Sequence, residues 1–304
     1  YDASNILTQK EQYKMIESII DELDMDAPDF NELASNLLGE ISAVKSNYLS
    51  LDYYYAKSCP ENVFRRVYRL YEKKLRQANK VDFDDILTMT YDLLSKRRDI
   101  LDAWRQRFSY ILIDEFQDIN LVQYKTIQLL AAPKNNLFIV GDDDQSIYGF
   151  RGAKPEIMLK FAEHYPNAVS LHLSMNYRSD RKIIECASNL IHHNKERFDK
   201  EFLASHEEEG IVHHQTYNDI DAEQRGLVKM ILEKKMSMDE YRNTSILYRT
   251  NKEAVQVSDL LITEKIPFWC TEPIQDKYDH WIYRDILSYH KLGNGIGNKM
   301  DLNR

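Results

Sequence analysis

Apolar residues in this chain cluster in short unbroken runs separated by amphipathic stretches. Tyr110-Ile111-Leu112-Ile113 runs directly into Asp114-Glu115-Phe116-Gln117-Asp118. Such a run predicts a strand covered on both faces, as in a parallel sheet, with the carboxylates at its carboxyl end, where open α/β sheets receive ligands. Leu137-Phe138-Ile139-Val140 repeats the design and breaks into Gly141-Asp142-Asp143-Asp144-Gln145. The pattern predicts strand 110–113, helix 119–131, strand 137–140, helix 155–164, strand 168–173 and helix 180–193. After an interval it predicts strand 211–217, helix 221–235, strand 244–248, helix 252–263, a short strand at 267–269 and a helix at 279–291. This alternation signals βα units and parallel sheets. Residues from Thr8 to about Lys80 are instead predicted helical throughout. Ile16, Ile19, Ile20 and Leu23 share one face, as do Val63, Val67, Leu70, Tyr71 and Leu75. Pro28 and Pro60 fall near helix starts, where a missing N–H costs little. Helices Phe83–Ser95 and Leu101–Arg107 lead into the first strand.

Composition narrows the class. The chain has 304 residues, 43% hydrophobic and 29% charged, enough for two domains with cores of their own. No run approaches the roughly 18 apolar residues of a membrane span, and the first residues lack a basic-then-apolar leader pattern. The three cysteines, Cys59, Cys186 and Cys270, are widely spaced, which predicts a reducing cytoplasmic setting and no zinc or disulfide framework. A net charge of −9 argues against coating nucleic acid through bulk electrostatics. A local groove stays open, because single strands also bind by stacking on aromatics. The basic helix face of Arg65, Arg66, Arg69, Lys73, Lys74 and Arg76 suits either a solvated surface or a phosphate track. Residues 195–210, crowded with charge, are predicted to be an exposed connection, and the tail 293–298 is glycine-rich.

The two acidic strand ends suit a Mg²⁺-nucleotide site. Mg²⁺ takes one or two carboxylates together with waters and phosphate oxygens. Asp114 and Glu115 are the candidate metal-facing pair, with Glu115 orienting or deprotonating a water. Successive strand residues point to opposite faces, so both serve only if the chain turns at Asp114. Taken alone, such a pair is more often a bare acidic loop, here with Asp118 capping the next helix. The Gln145 amide is able to donate to a phosphate oxygen while accepting from water, or to serve as an ordinary loop hydrogen-bonder. Tyr148 and Phe150, among small residues, offer either base-stacking faces or core packing. Arg151 is expected to reach toward nucleotide or the acids. The adjacent pairs His192-His193 and His213-His214 diverge as side chains and are poor metal ligands.

Three ordered segments carry a resemblance. Asp114-Glu115-Phe116-Gln117-Asp118, then Val140 through Ala153 (VGDDDQSIYGFRGA), then Leu173-Ser174-Met175-Asn176-Tyr177-Arg178-Ser179 resemble motifs II, III and IV of the UvrD/PcrA/Rep family of superfamily 1 DNA helicases. Val81-Asp82-Phe83-Asp84-Asp85 resembles the segment before motif II, and Ser245 through Asn251 (SILYRTN) a strand of the second motor domain. The resemblance implies an α/β fold of RecA-like P-loop NTPase sheets, in two partial motor domains with a helical insertion. It implies residues 1–80 as helical subdomain 1B, 81–173 as part of motor domain 1A and 174–304 as part of motor domain 2A. It implies ATP and Mg²⁺ as cofactors and single-stranded and duplex DNA as partners, with 3′-to-5′ translocation. By the same resemblance Gln145 senses the γ-phosphate, Tyr177 stacks on adenine and Arg178 is an arginine finger, a role worth about 10³–10⁵ in rate. Tyr148, Phe150, Arg249 and Asn251 become candidate DNA contacts. Phe150 stands where the family usually has Trp, and Gly149 at a variable position.

No Gly-x-x-x-x-Gly-Lys-Ser/Thr occurs in the sequence. The expectation is therefore a portion of a helicase whose phosphate-cradling Lys lies elsewhere, inactive as an ATPase alone. The alternative is a helicase-like scaffold that binds DNA or protein without hydrolysis.

Overall fold

The computed structural model describes residues 2–25, 30–234, 237–270 and 281–296. The chain divides into two compact units, Tyr1–Val212 and His213–Arg304. Pro28 and the end of the glycine-rich tail lie outside the described residues.

The first unit opens with three long helices, α1 (Gln9–Glu22), α2 (Phe30–Ser46) and α3 (Glu61–Gln77). Thr8 caps α1 by a reciprocal capping box with Glu11, which satisfies two otherwise orphaned amides. The predicted apolar faces meet in one core. Ile16, Ile19, Ile20, Leu37, Ile41, Val67, Tyr71 and Leu75 are buried there with Phe64. The basic face of α3 is a solvated one, with Arg65 paired to Glu61, Lys74 to Glu22 and Arg76 to Glu72.

Under this bundle lies a buried charge cluster. Lys45, whose side chain is 4% exposed, reaches Glu72 at 2.8 Å, Asp82 at 2.8 Å and Asp85 at 2.6 Å. Tyr71 donates to Asp82 at 3.1 Å. Asp82 and Asp85 also form the capping box of α4 (Phe83–Lys96). One ammonium thus joins α2, α3 and α4.

Helix α5 (Arg98–Arg107) leads into β1 (Ile111–Ile113), followed by α6 (Leu121–Ala131) and β2 (Leu137–Ile139). The strands pair in parallel, Ile111 with Leu137, Leu112 with Phe138 and Ile113 with Ile139. Asn120, not Asp118, caps α6, through a capping box with Gln123. Only one face of the pair is covered. Ile113 and Ile139 pack on a core of Phe116, Ile119, Tyr124 and Ile157. On the other face Leu112 is 71% and Phe138 60% exposed. The expectation of strands buried on both sides is thus corrected, because no described element lies over that face.

The predicted helix 155–164 is broken into α7 (Pro155–Leu159) and α8 (Phe161–His164). Residues 168–173 form no strand; the pairing begins just beyond, where β3 (Met175–Asn176) lies parallel to β4 (Leu203–Ala204), with α9 (Arg181–Ile191) between them in sequence. Residues 195–210 are not simply an exposed connection. They contain β4, and Arg197 and Lys200 are half-buried against Asp142–Asp144.

The second unit contains α10 (Ile220–Glu233), α11 (Met238–Arg242), α12 (Asn251–Thr263) and α13 (Trp281–Gly293). Val228 and Ile231 pack against Val257, Leu261 and Ile266. The predicted strands at 211–217, 244–248 and 267–269 are not formed among the described residues. Their apolar residues lack a neighbouring strand, and without ladder hydrogen bonds an apolar run stays coil. His213 and His214 therefore lie in coil as well.

Candidate active site at the strand ends

The left-handed turn falls at Glu115, one residue beyond Asp114. Glu115 adopts a left-handed conformation, φ 51° and ψ 43°, uncommon for a residue with a side chain. This turn takes Glu115 off the strand alternation, and its amide donates to Asp114 Oδ1 at 2.9 Å. Both carboxylates are exposed at the carboxyl end of β1. Two exposed carboxylates at one strand end offer the hard oxygen donors that Mg²⁺ prefers. Asp118 sits close by with a buried, unpaired Oδ1, and desolvation pushes its carboxyl above the ordinary value.

Gln117 joins the two strand ends. It is 1% exposed. Its Nε2 donates to Glu115 Oε2 at 2.8 Å, and its Oε1 accepts from the Asp142 amide at 3.0 Å. Gly141 makes this approach possible, since a Cβ there would stand 2.5 Å from Gln117 Oε1. Gln145 donates to Asp142 Oδ2 at 2.8 Å. Glu115, Gln117, Asp142 and Gln145 thus form one continuous hydrogen-bonded series. Sequence reasoning missed Gln117 as a site residue, since among the acids of 114–118 nothing marks its side chain as buried.

The Asp142–Asp144 turn is held from residues 197–200. Arg197 grips Asp144 with two bonds of 2.9 and 2.8 Å. Lys200 bonds to Asp142 and Asp143 and pairs with Asp144 at 3.1 Å. The Phe198 amide donates to Asp143 at 2.9 Å. Burial alone would raise the Asp144 carboxyl, but the bonds from Arg197 and Lys200 outweigh it and hold the carboxyl below its ordinary value.

Beyond Gln145 the backbone rises into an aromatic shelf. Phe150 is 78% exposed, while Tyr148 is half-buried beside it with ring centroids 6.1 Å apart. The Arg151 guanidinium lies over both rings, 5.0 Å from Tyr148 and 5.4 Å from Phe150. It stacks on the shelf and makes no ion pair with Asp114 or Glu115. Gly152, at φ 86°, closes the loop against α2, where a Cβ would meet Ser46 Oγ at 2.7 Å.

Tyr177 and Arg178 follow β3. Tyr177 is exposed, and its carbonyl accepts from His206 Nε2 at 2.8 Å. Asn176 Oδ1 accepts from the Arg178 and Ser179 amides. Arg178 has no ion-pair partner among the described residues, so no direct bond joins it to the acids. In the second unit the Arg249 amide donates to Glu253 at 3.0 Å. Asn251 opens α12, and its side chain lies outside the described residues.

Comparison with known proteins agrees with this geometry. Residues 2–166 match the UvrD/REP helicase N-terminal domain family. Residues 171–304 match the UvrD-like helicase C-terminal domain family. The chain is 36% identical over 284 residues to a putative ATP-dependent DNA helicase, YjcD, of Bacillus subtilis, covering 92% of this chain and 36% of that protein. It is 32% identical over 268 residues to the ATP-dependent DNA helicase PcrA of Leuconostoc citreum, covering 86% of this chain and 35% of the relative. Against PcrA of Staphylococcus epidermidis it is 35% identical over 239 residues, covering 78% and 32%. The chain therefore spans about a third of the length of the curated relatives it matches. With its parallel strand pairs, acidic strand ends and helical first segment, the chain belongs to the UvrD/Rep helicase family and has the α/β, RecA-like fold of that family.

Proposed function

We propose that this chain forms part of an ATP-dependent DNA helicase of the cytoplasm that translocates 3′ to 5′ on single-stranded DNA and unwinds duplex. Residues 1–80 act as helical subdomain 1B, 81–173 as part of motor domain 1A and 174–304 as part of motor domain 2A. The observation that carries the reading is the left-handed turn at Glu115, which takes it off the strand alternation next to Asp114, with its carboxylate tied through Gln117 and Asp142 to Gln145. What sets Glu115 apart is that its carboxylate accepts from Gln117, a buried amide that also reaches the second strand end.

In this reading Glu115 orients and deprotonates the attacking water, and Gln145 offers its amide to the γ-phosphate. Asp114, with Glu115, would hold a Mg²⁺ ion, whose charge neutralises the phosphate oxygens when bound. Tyr177 stacks on the adenine, and Arg178 stabilises the charge that builds on the transferring group. Phe150 and Tyr148 stack bases, worth about 1–3 kcal/mol per base, while Arg249 and Asn251 contact the DNA backbone. The 304-residue chain alone turns over ATP negligibly, since it lacks the phosphate-binding loop motif.

The test is DNA-stimulated ATP hydrolysis by the complete gene product. Glu115→Gln should lower kcat by at least about 100-fold, a loss expected for a base in its water-activating role, while nucleotide affinity is kept. Hydrolysis retained in that variant would remove Glu115 from the role. No DNA-stimulated hydrolysis in the unaltered protein would instead favour the scaffold.

A further inference from the structure

We propose that Lys200 and Arg197 are positioning residues for Gln145 and Glu115. Together they lock the Asp142–Asp144 turn so that Asp142 carries the Gln145 amide on one side and, through its backbone, Gln117 on the other. The inference rests on the reading of Glu115 and Gln145 just given.

Three consecutive aspartates repel one another, and an exposed loop would splay them. Here the Asp143 and Asp144 side chains are 3% and 9% exposed and face a Lys200 side chain that is 10% exposed. Burial works against the Lys200 charge, yet its bonds to Asp142, Asp143 and Asp144 hold the ammonium above its ordinary value. The cation therefore stays charged at neutral pH. Asp142 has two oxygens to place. Oδ1 takes Lys200 and the Asp144 amide, which turns Oδ2 toward Gln145. Fixing Oδ2 fixes the Gln145 Nε2, and its Oε1 has no hydrogen-bond partner among the described residues. The Asp142 amide is fixed by the same turn, and it reaches Glu115 through Gln117. A shift of residues 197–200 is thereby felt at both groups.

Arg197 and Lys200 lie three residues apart, with the amide of Phe198 between them bonded to Asp143. One short segment therefore holds all three acids. Its grip explains why Arg197, Phe198 and Lys200 are half-buried in a stretch whose neighbours are mostly exposed. No ligand is needed to account for the acid cluster, because protein cations already occupy it.

Two measurements test this. In the 304-residue chain, the side-chain amide resonances of Gln145 and Gln117, assigned with Gln→Glu variants, should move in Lys200→Ala. They should remain near their original positions in Lys200→Arg, which keeps the charge. In the complete gene product, Lys200→Ala should lower DNA-stimulated kcat on the order of 10- to 100-fold, as expected for misplaced reacting groups, with KM for ATP changed far less. Lys200→Arg should restore most of the rate, and Arg197→Ala should show a smaller loss of the same kind. Unmoved amide resonances in a folded Lys200→Ala chain would overturn the proposal whatever the kinetics. Moved resonances with an unchanged kcat would confine Lys200 to a structural role and overturn it too. An unaltered gene product without hydrolysis would sink the helicase reading, and the resonances would still decide whether Lys200 places Gln145.

Discussion

At the scale of single residues, two backbone positions carry the site, and only one was visible beforehand. The turn after Asp114 follows from strand alternation, but that Glu115 itself takes positive φ does not, since nothing in a Glu side chain announces it. Gly152 is the reverse case. A glycine closing an aromatic loop invites close approach, and the structure supplies the neighbour, the buried Ser46 at the end of α2. Gly152→Ala would meet both a left-handed φ and that hydroxyl. It should cost about 1–3 kcal/mol of stability, read as a lowered denaturant midpoint with an unchanged m-value. A wild-type midpoint would mean that the loop does not rest on α2 in solution. Gln117, Arg197 and Lys200 were illegible for a different reason. Their bonds to the Asp142–Asp144 turn span 25 to 58 residues of sequence, and hydrogen bonds of that span leave no periodic trace.

At the scale of elements, most helices were legible, and strands only where a partner pairs with them, as β1 and β2 do within a residue of 110–113 and 137–140. α4, α6, α9 and α12 fall within a few residues of expectation because caps and 3.6-residue periodicity are local, whereas the stretch from Thr8 to Lys80 is not helical throughout but divides into α1, α2 and α3. A strand exists only with its partner, so 168–173 and 244–248, apolar as they are, remain coil. The Lys45 cluster is the strongest tie between elements. Lys45→Met would leave Asp82, Asp85 and Glu72 without their shared cation, and breaking such a buried pair costs about 3–5 kcal/mol. The loss should depend on pH. Burial already raises the Asp85 carboxyl above its ordinary value, with Lys45 pulling it back down. Without Lys45 it rises further. A carboxyl whose folded value lies above its unfolded one destabilises the fold as pH climbs from the unfolded value through the folded one. The difference in melting temperature between wild type and Lys45→Met should therefore be larger at pH 8 than at pH 5. An equal difference at both would show that Lys45 is not what pulls the Asp85 carboxyl back down.

At the scale of the molecule, the family match changes between residues 166 and 171, whereas the compact units part at 212 and 213. The grip of residues 197–200 on the Asp142–Asp144 turn accounts for the difference, since it binds the start of the second family segment to the first unit. Calorimetry should show two transitions, and residues 1–212 expressed alone should reproduce one of them. A single transition abolished by that cut would mean that the units fold only together. The overall class was legible from βα alternation and the acidic strand ends, while the extent of each sheet was not. The face bearing Leu112 and Phe138 has a physical consequence of its own. It is a flat, greasy ribbon in contact with water, and such surfaces drive molecules to stick to one another. The polypeptide should thus be least soluble where its acidic character is neutralised, near its isoelectric point of about 5.6, where charge no longer keeps neighbouring copies apart.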